Sequence, residues 1–190
     1  MNTKNIMIVG VGGQGSLLAS KLLGRLLMDQ GYDVKVSEVH GMSQRGGSVV
    51  TYVRYGDKVY SPVIDKGEAD FIVSFELLEA ARWTEYLREG GQIIVNTQQI
   101  DPMPVITGAM TYPDNLVAKM SEHNHNVDAF DALSLANEAG SPKAVNIVLM
   151  GRLSHYFDFP EDAWNKALEA CVPSKFLELN KKAFELGKSL

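Results

Sequence analysis

A chain of 190 residues, 45% of them hydrophobic and 22% charged, has the length of one globular domain rather than two. Its formal net charge of −5 and pI of about 5.4 exclude a protein whose main work is neutralising phosphate backbones, so nucleic acid is not an expected partner. The single cysteine, Cys171, excludes a disulfide framework, and also an iron-sulfur cluster held by this chain alone, since a cluster takes about four thiolates.

Apolar runs such as residues 147–150 fall far short of the ~20 residues that cross a bilayer. The first fifteen residues run straight into glycines, without the apolar core and small-residue cleavage site of a secretion signal. The expected location is the cytoplasm, with no membrane partner. Residues 5–9 form an apolar run ending at Gly10-Val11-Gly12-Gly13-Gln14-Gly15, and residues 16–30 then carry helical periodicity. Leu18, Leu22 and Leu26 share one face of that helix, Lys21 and Arg25 lie opposite, and Gly31 is suited to stop it. Residues 33–39 read as a second strand lying parallel to the first, as strand-helix-strand crossovers require.

A polar, glycine-containing loop at residues 40–47 leads into a strand at 48–55. Gly56-Asp57 then predicts a hairpin turn into a second arm at 58–64, which Pro62 makes an edge strand or ends early. Beyond Asp70 the alternation resumes with a strand at 71–75, a helix at 76–88, a turn at Gly90-Gly91 and a strand at 92–96. Weaker strands are expected at 105–110 and 125–130, and helices at 113–122, 131–139, 143–157, 161–170 and 174–188. Asp158 and Glu161 have the spacing of a capping box for the helix that starts there. The alternation predicts an α/β fold: a three-layer α/β/α Rossmann-like sandwich with a mostly parallel, mixed sheet and a β-hairpin insertion, one domain over 1–190.

Gly10, Gly12 and Gly15 match G-x-G-x-x-G immediately after a strand and at the opening of a helix. There glycines let the backbone turn tightly and approach an anion, which meets the helix amides and the positive dipole end. Gly13 and Gln14 belong to the same turn, and Glu38 ends the second strand near the place of a ribose-binding acid. The same glycines also serve a tight turn that binds nothing. A second constellation, Glu38-Val39-His40-Gly41-Met42-Ser43-Gln44-Arg45-Gly46-Gly47, leaves the same sheet edge. Arg45 offers a planar fork for phosphate or carboxylate, and Gly46 and Gly47 allow close backbone approach, which favours a functional loop for a ligand or a partner subunit over a surface loop with Arg45 paired to Glu38 for structure.

His123, His125 and Asp128 suggest a metal only weakly, because no third ligand has distinctive spacing, so no metal is expected. Cys171 closes an amphipathic helix and reads as an inert, buried thiol. No catalytic pair follows from spacing. Asn146 precedes an apolar run, and Asn180 falls in the stripe of Phe176, Ala183, Phe184 and Gly187; amides so placed are expected to tie backbone segments together.

Taken together, the Gly10–Gly15 turn, the Ser37-Glu-Val-His-Gly-Met-Ser-Gln-Arg-Gly-Gly47 loop, Ser61-Pro62, the 146–151 helix and the Asn180, Ala183-Phe184, Gly187 ending resemble the gamma-type domain of 2-oxoacid:ferredoxin oxidoreductases. The likeness runs through nearly the whole chain and is strongest with the branch acting on aryl pyruvates. It implies a subunit of an enzyme that decarboxylates an aryl 2-oxoacid oxidatively with coenzyme A, giving the aryl acetyl-CoA, carbon dioxide and reduced ferredoxin. By the same resemblance, thiamine diphosphate, Mg2+ and the iron-sulfur clusters sit on a large alpha subunit, and this chain binds no cofactor alone. Consistently, no Gly-Asp-Gly thiamine signature is present; the nearest match is Gly56-Asp57-Lys58. The glycine turn and the Ser43–Arg45 loop with Gly46 and Gly47 become places for coenzyme A phosphates or for docking to the large subunit. A free-standing NAD(P)-binding module or small reductase needs only the glycine turn and Glu38, and a purely structural assembly subunit is a third reading.

Overall fold

Strand β1 (Lys4–Val11) is buried on both faces over residues 5–10, and the sheet is built outward from it. The computed structural model describes residues 3–40, 46–123 and 126–190. After β1 come α1 (Ser16–Asp29), β2 (Asp33–His40), β3 (Ser48–Gly56), β4 (Ala69–Ser74), α2 (Leu77–Arg82) and β5 (Leu87–Asn96). Then follow α3 (Met103–Ile106), α4 (Leu116–Glu122), β6 (Asn126–Phe130), α5 (Ala132–Ala139), α6 (Val145–Leu153), α7 (Glu161–Cys171) and α8 (Leu177–Lys188).

The strand order is β2-β3-β1-β4-β5-β6. β1, β4, β5 and β6 pair in parallel, whereas β3 is antiparallel to both β1 and β2. β2 therefore runs in the direction of β1, as expected, but one strand removed from it. Successive β1 side chains face opposite ways. Ile6 and Ile8 enter a core shared with α1, α5, α6, α7 and α8, and Met7 and Val9 enter one shared with α2 and α4. Each fully buried Leu, Ile or Val there contributes about 1.5–3 kcal/mol, and the result is the three-layer α/β/α sandwich with a mixed sheet.

The predicted hairpin at Gly56-Asp57 does not form. β3 is flanked by β1 on one side and β2 on the other, so neither of its edges is open to a second arm. Residues 58–64 run outside the sheet instead, tied by Val59 N donating to Asp33 Oδ2 (2.9 Å) and by Arg54 donating to the carbonyls of Ser61 and Val63 (3.1 and 2.7 Å). The strand expected at 105–110 is replaced by α3 and a turn through Gly108 at φ 75°, because Pro102 and Pro104 favour a helix start and cannot donate to a ladder. The helix expected at 76–88 stops at Arg82, and β5 already begins at Leu87. α7 starts at Glu161 as predicted, but Pro160 precedes it and no side chain caps it, so the Asp158 capping box is not made.

Candidate functional site

The turn after β1 is shaped by the side chain of Gln14. Its Oε1 accepts from Val11 N (2.8 Å) and its Nε2 donates to the Phe75 carbonyl (3.1 Å), so both ends of the amide hold backbone. A Cβ at Gly10 would stand 2.8 Å from Gln14 Oε1 and 3.0 Å from Phe75 Cβ, which is why this position is glycine. The Phe75 carbonyl also accepts from Asn96 Nδ2 (3.1 Å), and Asn96 Oδ1 accepts from Ala132 N (3.1 Å). The carboxyl ends of β1, β4 and β5 and the start of α5 are thereby fixed to one another. Ligands of open α/β sheets bind at such an edge.

Gly13 and Gly15 take φ of 99° and 89°, the left-handed region that side chains disfavour. The Gly15 carbonyl accepts from Leu18 N, Ala19 N and Asn146 Nδ2 at 3.1, 3.3 and 3.2 Å. Asn146 Oδ1 accepts from Ile147 N (2.9 Å), so this amide ties α6 to the turn, as the sequence suggested. The amides of Gly13, Gly15, Ser16 and Leu17 meet no acceptor among the described residues. They sit at the amino end of a 14-residue helix, where the dipole favours negative charge.

The second constellation is joined to the first: Gly12 N donates to the Gly47 carbonyl (2.9 Å), and Val11 is paired with Ser48 in the sheet. Gly46 has φ 74°. Ser43 and Arg45, with the rest of residues 41–45, lie outside the described residues, as does His125. Glu38 lies across from Thr51 and accepts from Thr51 Oγ1 (3.2 Å) and from Ser16 Oγ (3.5 Å). It faces a cleft of about 380 Å³ with Gly12, Gly13, Gly15 and Ser16.

On its other side the turn borders a cleft of about 480 Å³ with Gln98, Leu133 and Lys143. One side carries a carboxylate and the other an ammonium. Of these two described charges, Glu38 repels an anion and Lys143 attracts one. Sequence reasoning missed Lys143 and Gln98. Ser141-Pro142 marks a helix start, but nothing local tells that the fold brings Lys143 to a turn more than a hundred residues earlier.

Two further groups brace the site. Ser48 Oγ donates to Glu79 Oε2 (2.5 Å), anchoring the residue that follows Gly47, and Arg82 Nε lies 3.3 Å from Glu79 Oε1. Burial pushes the Glu79 carboxyl above the usual carboxylate range, with the Ser48 hydrogen bond and Arg82 acting against it. Glu76, 1% exposed, accepts from Glu79 N (2.8 Å), Ile100 N (3.0 Å) and Tyr112 Oη (2.6 Å), pinning residues 100–112 to the start of α2. Elsewhere, Asp128 accepts from Arg152 Nε (2.5 Å) and Tyr156 Oη (3.3 Å), and no three His, Cys, Asp or Glu gather for a metal among the described residues. Burial raises the Cys171 thiol, whose Sγ lies 3.8 Å from the Lys21 carbonyl; this is the environment of an unreactive cysteine.

A mixed α/β sheet whose glycine turn is stitched to the loop before an inserted antiparallel strand defines the class: the chain belongs to the pyruvate ferredoxin/flavodoxin oxidoreductase family, whose pattern matches residues 5–190. Within it, the chain is 46% identical to the indolepyruvate oxidoreductase subunit IorB of Pyrococcus horikoshii, over 98% of this chain and 95% of that one. The subunit of the same name from Thermococcus kodakarensis is 45% identical over the same shares. Among solved structures, the gamma subunit of the keto/oxoacid ferredoxin oxidoreductase of Geobacter sulfurreducens superposes with a TM-score of 0.73 at 25% identity, covering 98% of this chain and 96% of that one. The free-standing NAD(P) module finds no support. β3 also occupies the place beside β1 where a dinucleotide fold has its second strand, and the Glu38 carboxylate is already bonded within the protein.

Proposed function

We propose that this chain, as one gamma-type unit over 1–190, is the small (beta) subunit of a cytoplasmic indolepyruvate:ferredoxin oxidoreductase. The observation that carries the reading is 46% identity to a subunit of that name along 98% of the chain. The reaction is oxidative decarboxylation of an aryl 2-oxoacid with coenzyme A, giving the aryl acetyl-CoA, carbon dioxide and reduced ferredoxin. Its carbanion and electron-transfer chemistry is supplied by thiamine diphosphate, Mg2+ and iron-sulfur clusters on the large alpha subunit, through which ferredoxin is reached. A chain with one thiol lacks the donors for a cluster.

The part of this chain is binding and positioning. The turn Gly10, Gly12, Gly13, Gln14 and Gly15 presents amides to coenzyme A phosphates, with Lys143 on the open side. Glu38 lies on the opposite bank, and Ser43, Arg45, Gly46 and Gly47, which follow it in the chain, supply the remaining contacts, Arg45 with a phosphate or the large subunit. In support, the unmet amides, the left-handed glycines and the cation converge on one sheet edge.

The test is co-expression with the candidate large subunit and assay of coenzyme A-dependent viologen reduction on indolepyruvate, beside calorimetry of the chain with NADH and NADPH. Association and activity without NAD(P) binding are expected. Micromolar NAD(P) binding without association overturns the reading. Lys143→Gln is expected to raise KM for coenzyme A about fivefold, the ~1 kcal/mol of an exposed ionic contact, with kcat little changed. Arg45→Ala is expected to impair either coenzyme A use or subunit association.

A further inference from the structure

We propose that a second copy of this chain pairs with the first edge to edge along β2, joining two six-stranded sheets into one. β2 ends the strand order, and among the described residues its backbone bonds only to β3. In an antiparallel ladder alternate residues turn both amide and carbonyl away from the neighbouring strand, so half of the polar backbone of β2 faces outward. Natural edges are blunted by proline, bulges, shortness or an unpaired charge. β2 shows none of these. It keeps eight residues in unbroken register with β3, and its charged side chains are held within the chain, Lys35 by Asp33 (2.5 Å) and Glu38 by Thr51 and Ser16. The opposite edge, β6, is only five residues long.

The residues of β2 select this occupant and its register. Two copies extend one sheet about a two-fold axis normal to it, with the strands antiparallel and equal faces on the same side, so residues of equal parity stand opposite each other. With the axis at Val36, Lys35 faces the partner's Ser37 and Glu38 faces the partner's Val34. With the axis at Ser37, Lys35 faces the partner's Val39 and Glu38 faces the partner's Val36. One step further in either direction sets Lys35 against its own copy or Glu38 against its own copy, and like charges directly opposite destabilise a sheet. The two registers that use nearly the whole strand are thus the ones free of that clash. The flank is apolar as well. Val36 is 45% and Val39 52% exposed, one on each face of the strand. A Cβ at Gly24 would stand 3.7 Å from Val36 Cγ2, and the exposed Leu17 and Met28 recur on the Gly24 face of α1. An isologous pair gathers these side chains around one axis and closes at two subunits.

This inference is independent of the coenzyme A reading and of the large subunit. The experiment is sedimentation of the purified full chain from about 1 to 200 µM, with amide hydrogen exchange at both ends of that range. A reversible dimer of twice the 20.9 kDa chain is expected, with a micromolar dissociation constant. The outward amides of β2 gain protection at high concentration, and β6 is unchanged. Val36→Glu meets its own copy in one register and Glu38 in the other, and is expected to weaken the dimer at least about tenfold. Cysteine substitution reads the register, and does so without that variant should it fail to fold. In a Cys171→Ser background, Val36→Cys or Ser37→Cys, whichever lies at the axis, is expected to oxidise to a cross-linked dimer. Opposed residues stand ~4.5–5.5 Å apart between Cα atoms, within disulfide reach. A monomer throughout, a dimer that a folded Val36→Glu leaves intact, cross-linking at neither position, or β2 amides protected only once a large subunit is added overturns the proposal.

Discussion

Gly15 is held at φ 89°, and a Cβ there would stand 2.6 Å from Asn146 Nδ2. Gly13 has φ 99° but faces open space. The two positions thus separate backbone strain from crowding. Gly13→Ala is expected to cost only the left-handed strain of about 1–2 kcal/mol, whereas Gly15→Ala adds an overpacking cost of about 1–3 kcal/mol. Urea denaturation of the two variants checks the order. Glu79 offers a second test at this scale, through pH. Burial raises its folded pKa, so the native state holds this proton more tightly than the unfolded chain does. Stability from this group is therefore greatest below the unfolded carboxylate range and declines as pH rises through the folded value. Glu79→Gln keeps an acceptor for Ser48 without the charge. Its denaturation midpoint should exceed the wild type's near about pH 7, and the difference should shrink near about pH 4.

At the scale of elements, the alternation of strand and helix is legible because β1, α1, β4, α5 and α7 each carry their own period. The placing of β3 is not, since it rests on pairs such as Ile6 with Val53 that are distant in the chain. Residues 58–64 look like a strand because local pattern cannot show that both edges of β3 are taken. The glycine turn is legible as a candidate site, whereas Lys143 and Gln98 reach it only through folding. Side chains do for residues 58–64 what a ladder does elsewhere. The Asp33 carboxyl is lowered to about 2 by hydrogen bonds from Lys35 and Val59 N. Its stabilisation is complete above the unfolded value of about 3.9 and is lost as pH falls toward the folded one. Asp33→Asn should therefore lower the denaturation midpoint at neutral pH and converge with the wild type in strong acid. Tyr112 is the matching anchor for residues 100–112. Tyr112→Phe leaves Leu78 N without its acceptor at 2.9 Å and takes one donor from Glu76, for an expected loss of about 1.5–3 kcal/mol by chemical denaturation.

Across the whole molecule, the large core depends on how closely α8, at the end of the chain, lies on α6. Beside that contact Phe184 of α8 packs against Trp164 of α7, ring centroids 5.3 Å apart and planes tilted by 38°, and both are almost fully buried. The approach rests on two glycines. A Cβ at Gly151 would overlap the Phe184 carbonyl oxygen, and one at Gly187 would overlap the Val148 carbonyl oxygen. Both obstacles are helix backbone, which cannot swing aside as a side chain can, so relief requires moving one helix off the other. Gly151→Ala and Gly187→Ala should each cost at least the ~1–3 kcal/mol of core overpacking, although alanine is otherwise the better helix former. The same outward shift of α8 relieves both clashes. Once one substitution has moved the helix, the second meets less resistance, so the double variant should lose less than the sum of the singles. A double-mutant cycle by urea denaturation measures this coupling. Strict additivity would mean that each clash relaxes locally and that the two helices are not held by a single close contact.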